Sequence, residues 1–143
     1  MTGLEVAFPG LCDTPYQITS PADDNYNCIA WAAGDITRWW WPGAPERTYW
    51  PVGTERILTI DAFRDAFATL GYARTDSEVC EAGVEKVALF ATADGTPKHA
   101  ARQLPEGTWT SKLGQSPDIS HELHALAGAL YGSVVLIMKR SRS

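Results

Sequence analysis

Hydrophobic positions along the chain follow two rhythms, and the change from one to the other divides it. Ile29, Ala32, Ala33 and Ile36 recur three or four residues apart, which predicts a helix from near Asn27 or Cys28 to about Thr37. Asn25 and Asn27 stand before it as candidate caps. Ile60, Phe63, Phe67 and Leu70 repeat the spacing, with Thr59 as cap and Gly71 as stop, predicting a second helix over residues 60–70. From Val84 the period falls to two. VEKVALFATADG reads as a strand closing on an Asp94-Gly95 turn, PKHAARQL as its return, and TWTSKL as a third strand after a turn at Pro105–Gly107. GQSPD reads as a loop, residues 119–129 as a helix capped by Asp118 or Ser120, and YGSVVLIMKR as a last strand.

Two stretches carry neither rhythm. Residues 1–27, with Pro9, Pro15 and Pro21, predict an irregular lead-in. Residues 38–53, RWWWPGAPERTYWPVG, hold four of the six tryptophans among Pro42, Pro45 and Pro51, which exclude a long helix or a central strand. This loop reads either as an aromatic cluster packed for stability or as one wall of a cleft, with Trp31, Trp40 and Trp41 as candidate wall residues. The expected fold class is α+β, an N-terminal helical half packed on an antiparallel sheet, as one domain over residues 1–143.

Composition narrows the function classes. The 143 residues are 45% apolar and 20% charged, enough for a real core. The net charge of −5 and the absence of a basic patch or Gly-rich phosphate loop speak against nucleic acid as partner. No apolar run is long enough to span a membrane, and the N-terminus lacks the pattern of a secretory signal. Cys12, Cys28 and Cys80 are odd in number and match no zinc spacing, which fits a reducing, cytoplasmic setting and leaves export without a cleaved signal open. No cofactor is expected.

Within that frame one stretch suggests chemistry. DDNYNCIAWAAGD places Cys28 where a polar turn meets a helix, so the helix end favours its thiolate and first-turn N–H groups face a developing oxyanion. A core cysteine facing inward is the plainer alternative. His99 lies early in a strand with Ala101 and Gln103 on its face, leaving room for another element and for a role as proton acceptor. A third group would orient the imidazole. Asp118 has the strongest chemistry for that, and Ser111 and Thr110 on the preceding strand are alternatives. Asn25 and Asn27 are oxyanion candidates as well as caps. HELH, His121 to His124, spaces its histidines three apart where the zinc-protease motif needs four, so a small metal site is only a rival reading and no metal is assigned.

The order of cysteine at a helix start, histidine on a later antiparallel strand and polar orienter beyond it resembles the papain-like cysteine peptidase and amidase superfamily. NCIAWAAG is similar to its nucleophile helix, and NCIAWA, the Trp-rich loop, HAARQ and WTSKLG resemble small uncharacterised bacterial members over nearly the full length. The resemblance implies a papain-like fold, Cys28 as nucleophile, His99 as base and Asp118 as third member. It also implies an oxyanion glutamine shortly before the cysteine; the only upstream one, Gln17, is eleven residues away, and Asn25 or Asn27 would substitute. The implied activity is cleavage or transfer of a peptide or amide acyl group, on a peptide or protein substrate. The alternative is a non-catalytic adaptor or immunity module that meets a protein partner through the Trp-rich loop.

Overall fold

The computed structural model describes residues 3–20, 23, 25–113 and 118–142. In chain order it contains α1 (Gly3–Ala7), a 3-10 turn (Pro9–Cys12), β1 (Gln17–Ser20), α2 (Cys28–Ala33), α3 (Ile60–Ala68), β2 (Ala73–Thr75), β3 (Val84–Ala91), β4 (Pro97–Gln103), β5 (Trp109–Lys112), β6 (Asp118–His121), a second 3-10 turn (Leu123–Leu126) and β7 (Ser133–Ser141). The seven strands form one sheet in the order β1-β6-β5-β4-β3-β7-β2, with every neighbouring pair antiparallel.

This corrects the expected fold class. There is no helical half packed on a sheet: among the described residues only α3, at nine residues, is longer than six. Residues 118–121, expected to start a helix, form a central strand paired with both β5 and β1. The lead-in contributes a helix and an edge strand, and Ala73–Thr75 adds another edge beside β7. The GQSPD loop, apart from Asp118, lies outside the described residues. No helix among the described residues is long and apolar enough to cross a membrane.

The sheet is covered on both faces, and this is why its centre reads as a nearly continuous apolar run. Val87 and Leu89 of β3, Ala100 of β4, and Leu136 and Met138 of β7 pack under α2, α3 and the Trp-rich loop. Ala88 and Phe90, Ala101, Trp109 and Ile119 pack on the other face under Phe8, Leu11, Leu123 and Leu126. The α3 stripe behaves as expected: Phe63 and Phe67 are fully buried, and Thr59 accepts a hydrogen bond from the Ala62 amide.

Two irregularities meet at Phe90. On one side Phe90 and Ala91 pair with His99 and Pro97, so Lys98 is an extra residue. On the other, Leu89 and Phe90 pair with Leu136 and Val134, so Val135 is extra. Bulges bend a strand and re-aim its side chains. Here the bend falls beside His99.

Candidate functional site

Cys28 opens α2, and Asn27 fixes that start. The Asn27 side chain accepts from the Ala30 amide at 3.1 Å and from the Trp40 amide at 3.0 Å, and donates to the Trp40 carbonyl at 2.8 Å. One buried amide thus caps the helix and pins the Trp-rich loop against it. Gly34, at φ 85°, ends the helix in a left-handed conformation that a side chain would strain. The helix is therefore shorter than the expected run to Thr37.

Cys28 keeps 9% of its surface exposed. Burial pushes its thiol up to about 11, while the amides of Ala100, Ile29 and Cys28 itself, and more weakly the Lys112 ammonium, pull the other way. Desolvation outweighs the amides that favour the anion. At neutral pH Cys28 is a thiol, not the thiolate expected from its position at a helix start.

His99 is 1% exposed and belongs to a chain of hydrogen bonds whose direction can be worked out. The Glu122 carbonyl can only accept, so Nδ1 of His121, 2.7 Å away, carries a proton. Burial lowers the His121 pKa to about 4, so its ring is neutral and Nε2 holds a lone pair. The Ser111 hydroxyl, 2.7 Å from that nitrogen, donates to it. Ser111 Oγ then accepts from Nε2–H of His99 at 2.9 Å. Burial, and secondarily the nearby His121, keep His99 neutral as well, far below its ordinary range. His99 Nδ1 is left with the lone pair, buried and with no hydrogen-bond partner. Tyr131 stacks on the imidazole at 4.1 Å with planes 4° apart, and Phe90 meets its edge at 5.3 Å, so the ring is held from three sides.

Cys28 packs with Ala100 in the cluster under α2, whereas the His99 ring, one residue earlier on β4, packs on Phe90 and Tyr131 of the other cluster. The Ala100 amide, next along β4 from His99, favours the Cys28 anion, and Nδ1 is the ring nitrogen nearer its own backbone. Burial raises the hydroxyl of Tyr131, the ring stacked on His99, above its ordinary range, and the charge of a Cys28 thiolate would raise it further. Nδ1 and the sulfur form no hydrogen bond.

The third position differs from the first choice made on sequence. Asp118 does not bond His99. Its Oδ2 accepts from Tyr26 at 2.7 Å and its Oδ1 is buried without a partner. Asp118 and Ser111 share strand-paired ground but are staggered, since Ser111 lies opposite Ile119 and Asp118 opposite Lys112. Ser111 therefore holds the place beside His99, and Thr110, one residue away on the alternate face, instead accepts from Trp31 Nε1 at 3.0 Å. Asn25 is exposed, and its amide donates to Asp23 in a local turn. Asn27 is spent on capping.

Of the proposed cleft wall, Trp41 lines a cavity with Cys28. That cavity, about 350 Å³, is bounded by Asn27, Cys28, Trp39, Trp41 and Thr48. Trp40 is buried with its indole N–H on Asp35 at 3.0 Å, and Trp31 stacks on Tyr26 at 5.5 Å. The rival metal pair does not converge: His121 is committed at both nitrogens, whereas His124 is exposed and 2.9 Å from Glu78. Among the described residues no group of three or more His, Cys, Asp or Glu side chains is placed to hold a metal.

Sequence reasoning missed Trp39, Tyr131 and the role of His121. The DISH alternation could have found His121. Read as a strand, it sets Ile119 and His121 on one face, next to Ser111 of β5; read as a helix, it pairs His121 with His124 instead.

The family described as "Domain of unknown function (DUF7689)" matches residues 17–139, and the chain belongs to it. No curated protein and no solved structure matches.

Proposed function

We propose that this protein is a cysteine hydrolase that cleaves or transfers an acyl group from a peptide or amide, with Cys28 as nucleophile, His99 as general base and Ser111 as the residue that positions His99. The observation that carries this reading is the bare, buried Nδ1 of His99, whose tautomer is fixed through Ser111, one residue before the strand amide that favours the Cys28 anion. A base needs a free lone pair, and three consecutive hydrogen bonds leave one on Nδ1 of His99. The sequence resemblance to papain-like cysteine peptidases and amidases supports the same assignment of Cys28 and His99.

The chemistry runs from a neutral pair rather than a resting ion pair, because burial disfavours both charges. His99 Nδ1 takes the Cys28 proton as sulfur attacks the carbonyl carbon. The tetrahedral adduct collapses, the C–N bond breaks, and Nδ1 returns the proton to the leaving amine. Water then gives a proton to Nδ1 and adds to the thioester, the C–S bond breaks, and the proton returns to sulfur. Catalytic hydrogen bonds are often long without substrate and tighten in the complex; on this reading the Cys28–His99 bond forms only when the acyl group enters.

One pair of observations favours a non-catalytic binding module instead: Cys28 is held as a thiol and shares no hydrogen bond with His99. Acylation separates the two. With 4-nitrophenyl acetate, intact-mass analysis should find one acetyl group on Cys28, formed faster than on the exposed Cys12 and Cys80. His99→Ala should slow it on the order of 100-fold or more. Equal acylation of all three cysteines, or indifference to His99→Ala, would establish the binding-module reading.

A further inference from the structure

We infer that the cavity beside Cys28 receives an uncharged, apolar side chain carried by the acyl group of the substrate; this rests on the hydrolase reading and names its substrate class. Cys28 itself lines the cavity. The acyl carbon becomes bonded to sulfur and stays there through the second half of the reaction, so a pocket that begins at the nucleophile is nearest the acyl group.

Its walls select by what they lack. No charged residue lines it; two indole rings dominate, and only Asn27 and Thr48 are polar. Both are occupied. Asn27 bonds Ala30 and Trp40, and the Thr48 hydroxyl donates to the Trp41 carbonyl at 2.8 Å, with the Ala44 carbonyl 3.3 Å away. A charged or hydrogen-bonding group would lose its water and gain little in return, whereas an aromatic ring or branched aliphatic chain would stack on the tryptophans. The volume, about 350 Å³, lies at the small end of the roughly 300–1,000 Å³ typical of ligand pockets. It suits one side chain rather than an extended ligand.

The pocket is also rigid at its base. The backbone of residues 39–49 is closed by paired hydrogen bonds, Trp41 to Tyr49 at 3.0 Å and Tyr49 to Trp39 at 2.8 Å. The Arg56 guanidinium ties the loop further, donating to the Gly43 carbonyl at 2.6 Å and to that of Thr48 at 3.3 Å. Trp41 packs edge-on against Phe63 of α3 at 5.6 Å. A rigid apolar wall discriminates by fit, since little ordering is left to be done on binding.

The test is a series of N-acetyl aminoacyl 4-nitrophenyl esters with Gly, Leu, Phe, Glu and Lys side chains, run on the intact chain with Cys28→Ala as background. Phe and Leu esters should exceed Gly by on the order of 10- to 100-fold in kcat/KM, and Glu and Lys esters should fall to the Gly level or below. Trp41→Ala should flatten the ranking and Trp41→Phe should keep it, with near-ultraviolet circular dichroism checking that both variants fold. A flat or charge-preferring ranking in the unmodified protein would overturn the pocket assignment while leaving the hydrolase reading intact. No Cys28-dependent turnover with any ester would overturn the hydrolase reading, and the pocket assignment with it.

Discussion

The informative unit at the scale of single residues is the hydrogen-bonded run from His99 through Ser111 to His121. It works only while both imidazoles are neutral, and burial provides that neutrality. The consequence appears in stability. His121 has a folded pKa depressed to about 4, against about 6.5 unfolded. Its contribution is therefore present above about pH 6.5 and is lost as pH falls through 4, because the unfolded state binds the proton first. His99 shifts in the same direction. Urea titrations from pH 7 down to 4 should show stability falling with acid by up to about 3 kcal/mol for His121 alone. His121→Gln should reduce the slope. A slope unchanged by the substitution would mean that His121 does not titrate as described. Ser111→Ala removes the hydroxyl that joins the rings and frees His99 to adopt its other tautomer. Acylation of Cys28 should slow while Cys28→Ala and Ser111→Ala proteins remain equally folded by circular dichroism.

Elements depend on a few joints. Asn27 is one, and Asn27→Ala would remove a helix cap and strand the buried Trp40 amide. The combined cost should be roughly 2–4 kcal/mol in chemical denaturation. Gly132 is another. It sits at φ 74°, and a Cβ there would run into the Ala91 carbonyl, so Gly132→Ala should destabilise the approach to β7 and loosen the neighbouring Tyr131 from its stack on His99. The change in tyrosine environment is measurable by near-ultraviolet dichroism. Much at this scale was legible in sequence: the α3 stripe, the Thr59 and Asn27 caps, and the β3–β4–β5 meander with its Asp94-Gly95 turn all follow from local chemistry. Residues 118–121 were not, because Asp118 before Ile119 has the appearance of a cap. Only the partners β5 and β1, one of them about a hundred residues away, make that segment a strand. Ser111 was visible as a candidate orienter but ranked below Asp118, since charge can be read from sequence and register cannot.

For the whole molecule, the decisive fact is that the sheet has two covers. Helices α2 and α3 and the tryptophan loop were readable from periodicity and supplied the expectation of a helical half. The second cover is built from pieces too short to carry a period, chiefly α1, two 3-10 turns and the residues around Tyr131. Phe8 and Leu11 belong to it at 5% and 2% exposure, although both precede the family match that starts at residue 17. A chain lacking residues 1–16 should therefore bind a hydrophobic dye and lose several kcal/mol of stability, as expected when two large apolar side chains leave a core at about 1.5–3 kcal/mol each. Unchanged stability would make that segment a passenger.

Asn27 also joins the two walls of one cavity, the nucleophile helix and the tryptophan loop. It touches the first turn of the nucleophile helix with one set of bonds and the tryptophan loop with another, so neither can shift without the other registering it. Linkage makes such communication reciprocal. If an apolar compound in the cavity changes the equilibrium constant for a reversible modification of Cys28, such as a mixed disulfide, that modification must change the hold on the compound by the same factor. Binding measured on the thiol and on the mixed disulfide would thus give that factor without any turnover, with Asn27 holding both walls in place.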